Sequence, residues 1–262
     1  MTESDQCVRY EVNGQASLVI INRPHEHNAL NNEVLARLVA AVEQANDDPA
    51  TSCIVVTGAG DRAFSAGGDL KQMNAVVDPL AEHQGRAGLA RIFQTLWSAR
   101  KPTLARVNGH CLAGGLGIAL ACDIVLATPR SVFSTPEVKV GLWPYMITLP
   151  MIRSMPPKQA LKMMLTGELV SCEEAERIGF VTEVVAESNL DTRVSQYATT
   201  FAAASPQAVA LGRQSFYSVL DHDPQARLAQ LHASLSVALT MPDAAEGMQA
   251  FAEKRAPSWQ KT

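Results

Sequence analysis

The chain of 262 residues lacks any paired arrangement of cysteine. Cys7, Cys53, Cys111, Cys122 and Cys172 stand singly, with no CxxC and none near histidine at zinc-ligand spacing. That excludes a disulfide framework and a zinc site from the expected features, and no metal is expected. Cys53 lies in an apolar run and reads as a buried thiol. Reduced cysteines in turn imply a cytoplasmic setting. Basic excess is missing too: 22 Lys and Arg stand against 26 Asp and Glu, a net charge of −4. This argues against a nucleic-acid surface, which needs clustered cations, while leaving room for a local basic patch on an anionic ligand. No uninterrupted apolar run reaches membrane length, so no membrane partner is expected. Leu104 to Leu126 comes closest, but Arg106, Asn108, His110 and Asp123 break it. Met1 to Gln6 have neither a basic nor an apolar region of the signal-peptide kind, so none is expected. Repeats and low-complexity segments are absent as well.

What is present is an ordinary globular balance, 47% hydrophobic and 18% charged. A chain of this length buries about 70–75% of the surface its unfolded state exposes. β-rich runs at 7–12 and 16–22 flank Asn13-Gly14, a hairpin signal. Asn31 opens an amphipathic helix to about residue 47, with Leu35, Leu38, Val39 and Val42 on one stripe. Short apolar strands are expected at 53–57, 103–107 and 123–127, with a Gly- and Ala-rich helix over 112–122. A strand and a turn fall within 132–142, and helices dominate from Pro144 apart from a strand near 181–185. Residues 75–88 lack clear periodicity and read as a loop or a poorly defined helix. Early alternation and late helices predict an α/β core with a helical C-terminal part.

Two familiar motifs mislead. Gly58-Ala59-Gly60-Asp61-Arg62-Ala63 matches a dinucleotide fingerprint after a strand. That fingerprint needs a helix starting at the glycines, and Gly67-Gly68 would interrupt it at about 1 kcal/mol each. Gly109 and Gly114 have P-loop spacing, but Gly115 stands where the lysine must be.

The chemistry lies in two glycine turns and one acid. Ala66-Gly67-Gly68-Asp69 reads structurally as a loop with Asp69 capping a helix, and Asn108 to Gly117 as a close-packed strand-to-helix turn. Facing each other, the same turns could aim two backbone amides at one carbonyl oxygen, an oxyanion hole. Glu137 follows Ser134-Thr135-Pro136, where proline fixes the chain just ahead of the acid. His110, beside the second turn, reads as structural, and Asp69 and Asp123 as paired or capping charges.

These residues resemble the crotonase superfamily, the enoyl-CoA hydratase/isomerase family. The likeness runs through Asn22-Arg23-Pro24 with Asn28-Ala29-Leu30, and Ala63-Phe64-Ser65-Ala66-Gly67-Gly68-Asp69-Leu70. It continues through Val107-Asn108-Gly109, Ala113-Gly114-Gly115, Cys122-Asp123, Pro136-Glu137 with Gly141, and Leu165-Thr166-Gly167. It ends at Phe251 to Arg255, and so spans nearly the whole chain. The resemblance implies a crotonase-like spiral of ββα units at 1–200, with a helical region at 201–262 that covers the site and joins an oligomer. It also implies a homotrimer or dimer of trimers, and an acyl-CoA substrate whose coenzyme A is the only cofactor-like group. It places the oxyanion amides at Gly68 and Gly114 and the acid/base at Glu137. His25 and Arg62 fall where basic residues contact the CoA phosphates, and Ala66, Gly117 and Tyr145 complete the expected substrate-binding set.

One departure stands out. Hydratases of the family use a second glutamate, which belongs at position 117, where this chain has glycine. Tyr145, near a turn that is glycine-rich in those hydratases, is expected to enter the water side of the pocket. A single carboxylate favours double-bond isomerisation over hydration. Asp78 and Glu82 are possible substitutes for the missing acid. The alternatives are a hydratase with a non-standard second acid, a thioester hydrolase, and a non-catalytic acyl-CoA binder.

Overall fold

The computed structural model describes residues 6–69, 79–220, 237 and 241–258, with the side chains of 79–86, 251 and 252 outside the described set. β1 (Val8–Asn13) and β2 (Ala16–Ile21) form the expected antiparallel hairpin, with Gly14 at φ +57° in its turn. From β2 the sheet continues in parallel through β3 (Cys53–Gly58), β5 (Thr103–Val107), β7 (Ile124–Ala127) and β10 (Glu183–Val184).

Both faces of this sheet are covered, which is why β3 is buried at every position. Successive side chains alternate between faces. Cys53 and Val55 join Leu104 and Leu126 under helix α7 (Leu190–Ala202), through Leu190, Val194 and Ala198. Ile54 and Val56 join Ala105, Val107 and Val125 on the other face, under α1 (Asn32–Asp47). Asn31 caps α1 by accepting the Val34 amide at 2.8 Å, and Val34, Leu35, Leu38, Ala41 and Val42 form its buried stripe.

A second, smaller sheet carries the candidate site. Its strand order is β4 (Ala63–Ser65), β6 (His110–Leu112), β8 (Val132–Ser134) and β9 (Val170–Ser171). The first three run parallel, and β9 pairs antiparallel to β8. None of β4, β6 or β9 is foreseen from sequence, because two or three residues are too few to show a period.

After Gly58 the chain bends into β4 instead of a helix, which removes the structural basis of the dinucleotide fingerprint. Helix α2 (Pro79–Ser98) occupies the second part of the stretch that lacks periodicity, and residues 75–78 lie outside the described set. Helix α3 (Gly114–Ala121) is buried at all eight positions, and α4 (Thr148–Ser154), α5 (Pro157–Thr166) and α6 (Cys172–Ile178) follow. Helix α8 (Pro206–Val219) is tied to the core by Arg213, which donates to both Asp123 oxygens at 2.8 and 2.9 Å. Tyr217 donates to the same carboxylate at 2.6 Å. Asp123 and Asp69 are thus paired charges, Asp69 with Arg23 at 3.0 Å. Helix α9 (Pro242–Glu253) completes the helical C-terminal part. Among the described residues no helix is long and apolar enough to cross a membrane.

Candidate active site

Gly68, Gly114 and Glu137 all follow the carboxyl ends of neighbouring parallel strands. Gly68 comes after β4, Gly114 after β6 and Glu137 after β8. Leu112 is in register with Ser134, and the Ala113 amide donates to the Ser134 carbonyl at 2.9 Å. The strand ends therefore deliver the second glycine turn and the segment bearing the acid to the same edge of the sheet.

The two glycine turns abut. Gly67 has φ +90°, and a Cβ placed on it would lie 2.5 Å from the Ala113 Cβ and 3.3 Å from the Gly114 nitrogen. Only a residue without a side chain fits there. Gly115 has the same constraint against Ser65, at 2.6 Å from its Cβ. Ser65, fully buried, accepts the Gly67 amide through its hydroxyl at 3.1 Å. Leu30 donates to the Gly67 carbonyl at 2.8 Å and accepts from the Asp69 amide at 2.9 Å. Because Gly67 O and Asp69 N both turn to Leu30, the Gly68 N–H between them turns away. Gly114 is the first residue of α3, where amides lack an intrahelical acceptor. Among the described residues, neither the Gly68 nor the Gly114 amide donates a hydrogen bond.

Ala113 holds this turn at φ +50°, ψ −127°, a conformation costly for any residue with a Cβ. Strain of this kind, of order 1–3 kcal/mol, persists only where surrounding contacts impose it. Leu30 and Leu89 lie 3.3 and 3.5 Å from the Cβ position of Gly114, so the start of the helix is packed by apolar side chains. A developing negative charge there would be weakly screened and would face a helix N-terminus.

Two asparagines fasten the segment that leads from β3 into β4, just ahead of the first turn. Buried Asn28 donates to the Ala59 and Ala63 carbonyls at 3.0 and 2.7 Å and accepts the Arg23 amide at 3.0 Å. Asn108 donates to the Gly58 and Gly60 carbonyls. Sequence motifs contain both residues, but their stapling role emerges only from the fold. Ser65 and Ala113 are further positioning residues that the sequence pattern does not single out.

Glu137 lies in a short 3-10 helix, Pro136–Val140, closed by Gly141 at φ +76°. Its Oε2 is buried and, among the described residues, has no hydrogen-bond partner. Burial pushes its carboxyl pKa up from the ordinary value. A half-buried acid with an orphaned oxygen has the features of a candidate acid/base.

His25 and Arg62 are both exposed, in neighbouring segments: a Cβ on Gly60 would lie 3.5 Å from the Pro24 Cβ. Ala66 is half-buried and donates its amide to the His27 carbonyl at 2.9 Å. His110 has an exposed side chain, and its amide donates to the Arg62 carbonyl at 3.0 Å. Asp78 lies outside the described residues, as does the Glu82 side chain.

Two expectations need correction. Gly117 does not border open substrate space: a Cβ there would lie 2.5 Å from Ile147 Cγ2 and 2.8 Å from Phe93 Cζ. Nor does Tyr145 fill that volume, since it is 77% exposed, whereas Ile147 is 2% exposed. The bulky residue is thus present two positions further along. The physical reason is that Ile147 enters helix α4, accepting the Met151 amide at 3.0 Å, and is turned onto α3. Two surface clefts, of about 510 and 700 Å³, both border Trp97, Arg153 and Tyr217, and no candidate site residue lines either.

Residues 11–262 match the family described as Enoyl-CoA hydratase/isomerase. The chain belongs to that family. It is an enzyme of the hydratase/isomerase type, with the crotonase fold. A probable mitochondrial enoyl-CoA hydratase of Dictyostelium discoideum is 34% identical, over 95% of this chain and 89% of the relative. An (E)-benzylidenesuccinyl-CoA hydratase of Thauera aromatica is 35% identical, over 96% of this chain and 98% of the relative. The crystal structure of an enoyl-CoA hydratase of Mycobacterium smegmatis superimposes with a TM-score of 0.92, at 29% identity, covering 98% of this chain and all of that one.

Proposed function

We propose that this enzyme removes and returns a proton beside the thioester carbonyl of an acyl-CoA, with Glu137 as the single acid/base. The Gly68 and Gly114 amides hold the enolate oxygen. The observation that carries this reading is that, among the described residues, two amides and one carboxylate oxygen without hydrogen-bond partners all follow the ends of adjacent parallel strands. In a 3-enoyl-CoA the C2–H bond breaks toward Glu137 and its electron pair moves onto the thioester oxygen. The same carboxyl then delivers the proton to C4 as the double bond shifts to C2–C3. Such a cycle needs one base and no water, which suits the apolar filling at Gly117.

A second reading, hydration, is favoured by the names of the relatives and requires a second acid from elsewhere in the chain. The two separate by direct assay. Isomerisation of a short 3-enoyl-CoA should outpace hydration of the matching 2-enoyl-CoA, and the reverse ranking would make the enzyme a hydratase. His25 and Arg62 are assigned to the CoA phosphates, as exposed basic side chains on adjoining segments. Ala66 is assigned to the substrate-binding wall beside them.

The resemblance implies a homotrimer or dimer of trimers, and assembly is supported by the exposed apolar side chains of Val140, Leu142, Ile152, Leu161, Leu165 and Leu169, which an isolated chain would leave in water. Residues 1–200 act as the core and 201–262 as the helical region that supports assembly. Five free cysteines suit a reducing compartment such as the cytoplasm.

A further inference from the structure

Helix α3 begins at Gly114 and passes under Ile147 three residues later. Positions three apart share a helix face, so Gly114 and Gly117 look out on the same side. At Gly114 that side already meets Leu30 and Leu89, 3.3 and 3.5 Å from a Cβ, a tight apolar contact that a small shift could relieve. At Gly117 it is closed: Ile147 and Phe93 stand where the first atom of any side chain would be. Both are almost fully buried, and Phe93 is held in turn by Trp97, at 6.0 Å between ring centroids. The closure therefore joins three elements, α2, α3 and the start of α4, and the Ile147 and Phe93 side chains offer no hydrogen-bonding group to a water molecule.

We infer that Ile147, backed by Phe93, determines which reaction the site performs, by keeping the Gly117 side of the pocket dry and free of any second carboxylate. The inference rests on the assignment of Glu137 as the base. With the wall in place, an enolate formed at the thioester can only take its proton back from Glu137. With the wall removed, water can reach C3 of a 2-enoyl-CoA. Its oxygen bonds to C3, one of its protons passes to a carboxylate, and the C2–C3 π pair takes up a proton at C2. Every atom added comes from that one water and the carboxyl that relays its proton.

The test compares wild type, Ile147→Ala, Gly117→Glu and the double variant Gly117→Glu/Ile147→Ala. Two rates are read for each: hydration of a short 2-enoyl-CoA, and exchange of the C2 proton of a saturated acyl-CoA in heavy water. A merely structural role for Ile147 would lower both rates together, so the informative quantity is their ratio. Ile147→Ala should raise the hydration-to-exchange ratio about threefold, and the double variant about tenfold or more. Gly117→Glu alone should melt at a lower temperature than wild type and gain no hydration, because Ile147 still fills the space. Efficient hydration by Gly117→Glu alone would overturn the inference, as would an unchanged ratio in folded Ile147→Ala. The single truncation decides the matter even if the double variant does not fold. Absence of exchange in wild type would bring down the Glu137 assignment and this inference with it. Exchange present with an unmoved ratio would bring down this inference alone.

Discussion

Gly67 and Ala113 approach so closely that a methyl group on Gly67 would stand 2.5 Å from the Ala113 Cβ. This contact joins the two turns, and it sets the separation of the amides that follow each residue. Gly67→Ala combines a clash with a φ of +90° that alanine rarely adopts. It should cost about 1–3 kcal/mol of stability. It should also lower turnover by about a hundredfold, since a shift near 1 Å in a catalytic group has that effect. Denaturant melts and steady-state kinetics on the purified variant check both. Wild-type turnover would show that the turns are not coupled.

Asn28 fastens the segment that leads into β4, ahead of the same turn, with three hydrogen bonds to the backbone and almost no exposure. Asn28→Ala removes them together and leaves an amide and two carbonyls to find other partners. A loss of about 2–4 kcal/mol in urea unfolding is expected, summed from buried groups left unsatisfied. A change below about 0.5 kcal/mol, the range of an ordinary surface substitution, would contradict this.

Glu137 should weaken the fold that it serves. Burial raises its carboxyl pKa in the folded state. Between the ordinary carboxylate value and the raised one, the folded chain holds a proton that the unfolded chain has lost. Stability therefore falls as pH rises through that window. Glu137→Gln has no charge to bury. Its melting temperature should match wild type below the ordinary carboxylate pKa and exceed it at neutral pH. A variant less stable than wild type at neutral pH would mean that the carboxylate is paired in the fold.

Much of the frame was legible in the sequence because it repeats over several residues. The continuous apolar run at β3 and the 3.6-residue stripe of α1 both reach into the core as expected, and Asn31 caps its helix. The small sheet was not legible, because β4 and β6 are three residues each and their pairing is set by distant partners. The glycines and Glu137 could be picked out as residue types suited to a site. Their convergence depends on the Leu112–Ser134 register, which no local pattern encodes. Position 117 shows the same limit. Its lack of a side chain is plain in the chain, but the occupant of the vacated space, Ile147 instead of Tyr145, follows from how α4 packs.

The pH dependence of the reaction follows from the same raised carboxyl. As a base, Glu137 must be ionised in the free enzyme, so kcat/KM should fall as pH drops through its raised pKa. The acid limb should lie above the pH at which an exposed glutamate titrates. An acid limb at or below that value would mean that another group abstracts the proton.

The central claim is that Glu137 removes the C2 proton while the Gly68 and Gly114 amides hold the oxygen. Its most direct test is C2 proton exchange from acyl-CoA in heavy water, followed by mass spectrometry or NMR for wild type and Glu137→Gln. Exchange reports enolisation whatever the net reaction proves to be. Wild type should incorporate deuterium at C2, and Glu137→Gln should do so about two to four orders of magnitude more slowly while binding CoA with similar affinity. Equal exchange in the two proteins would contradict the account.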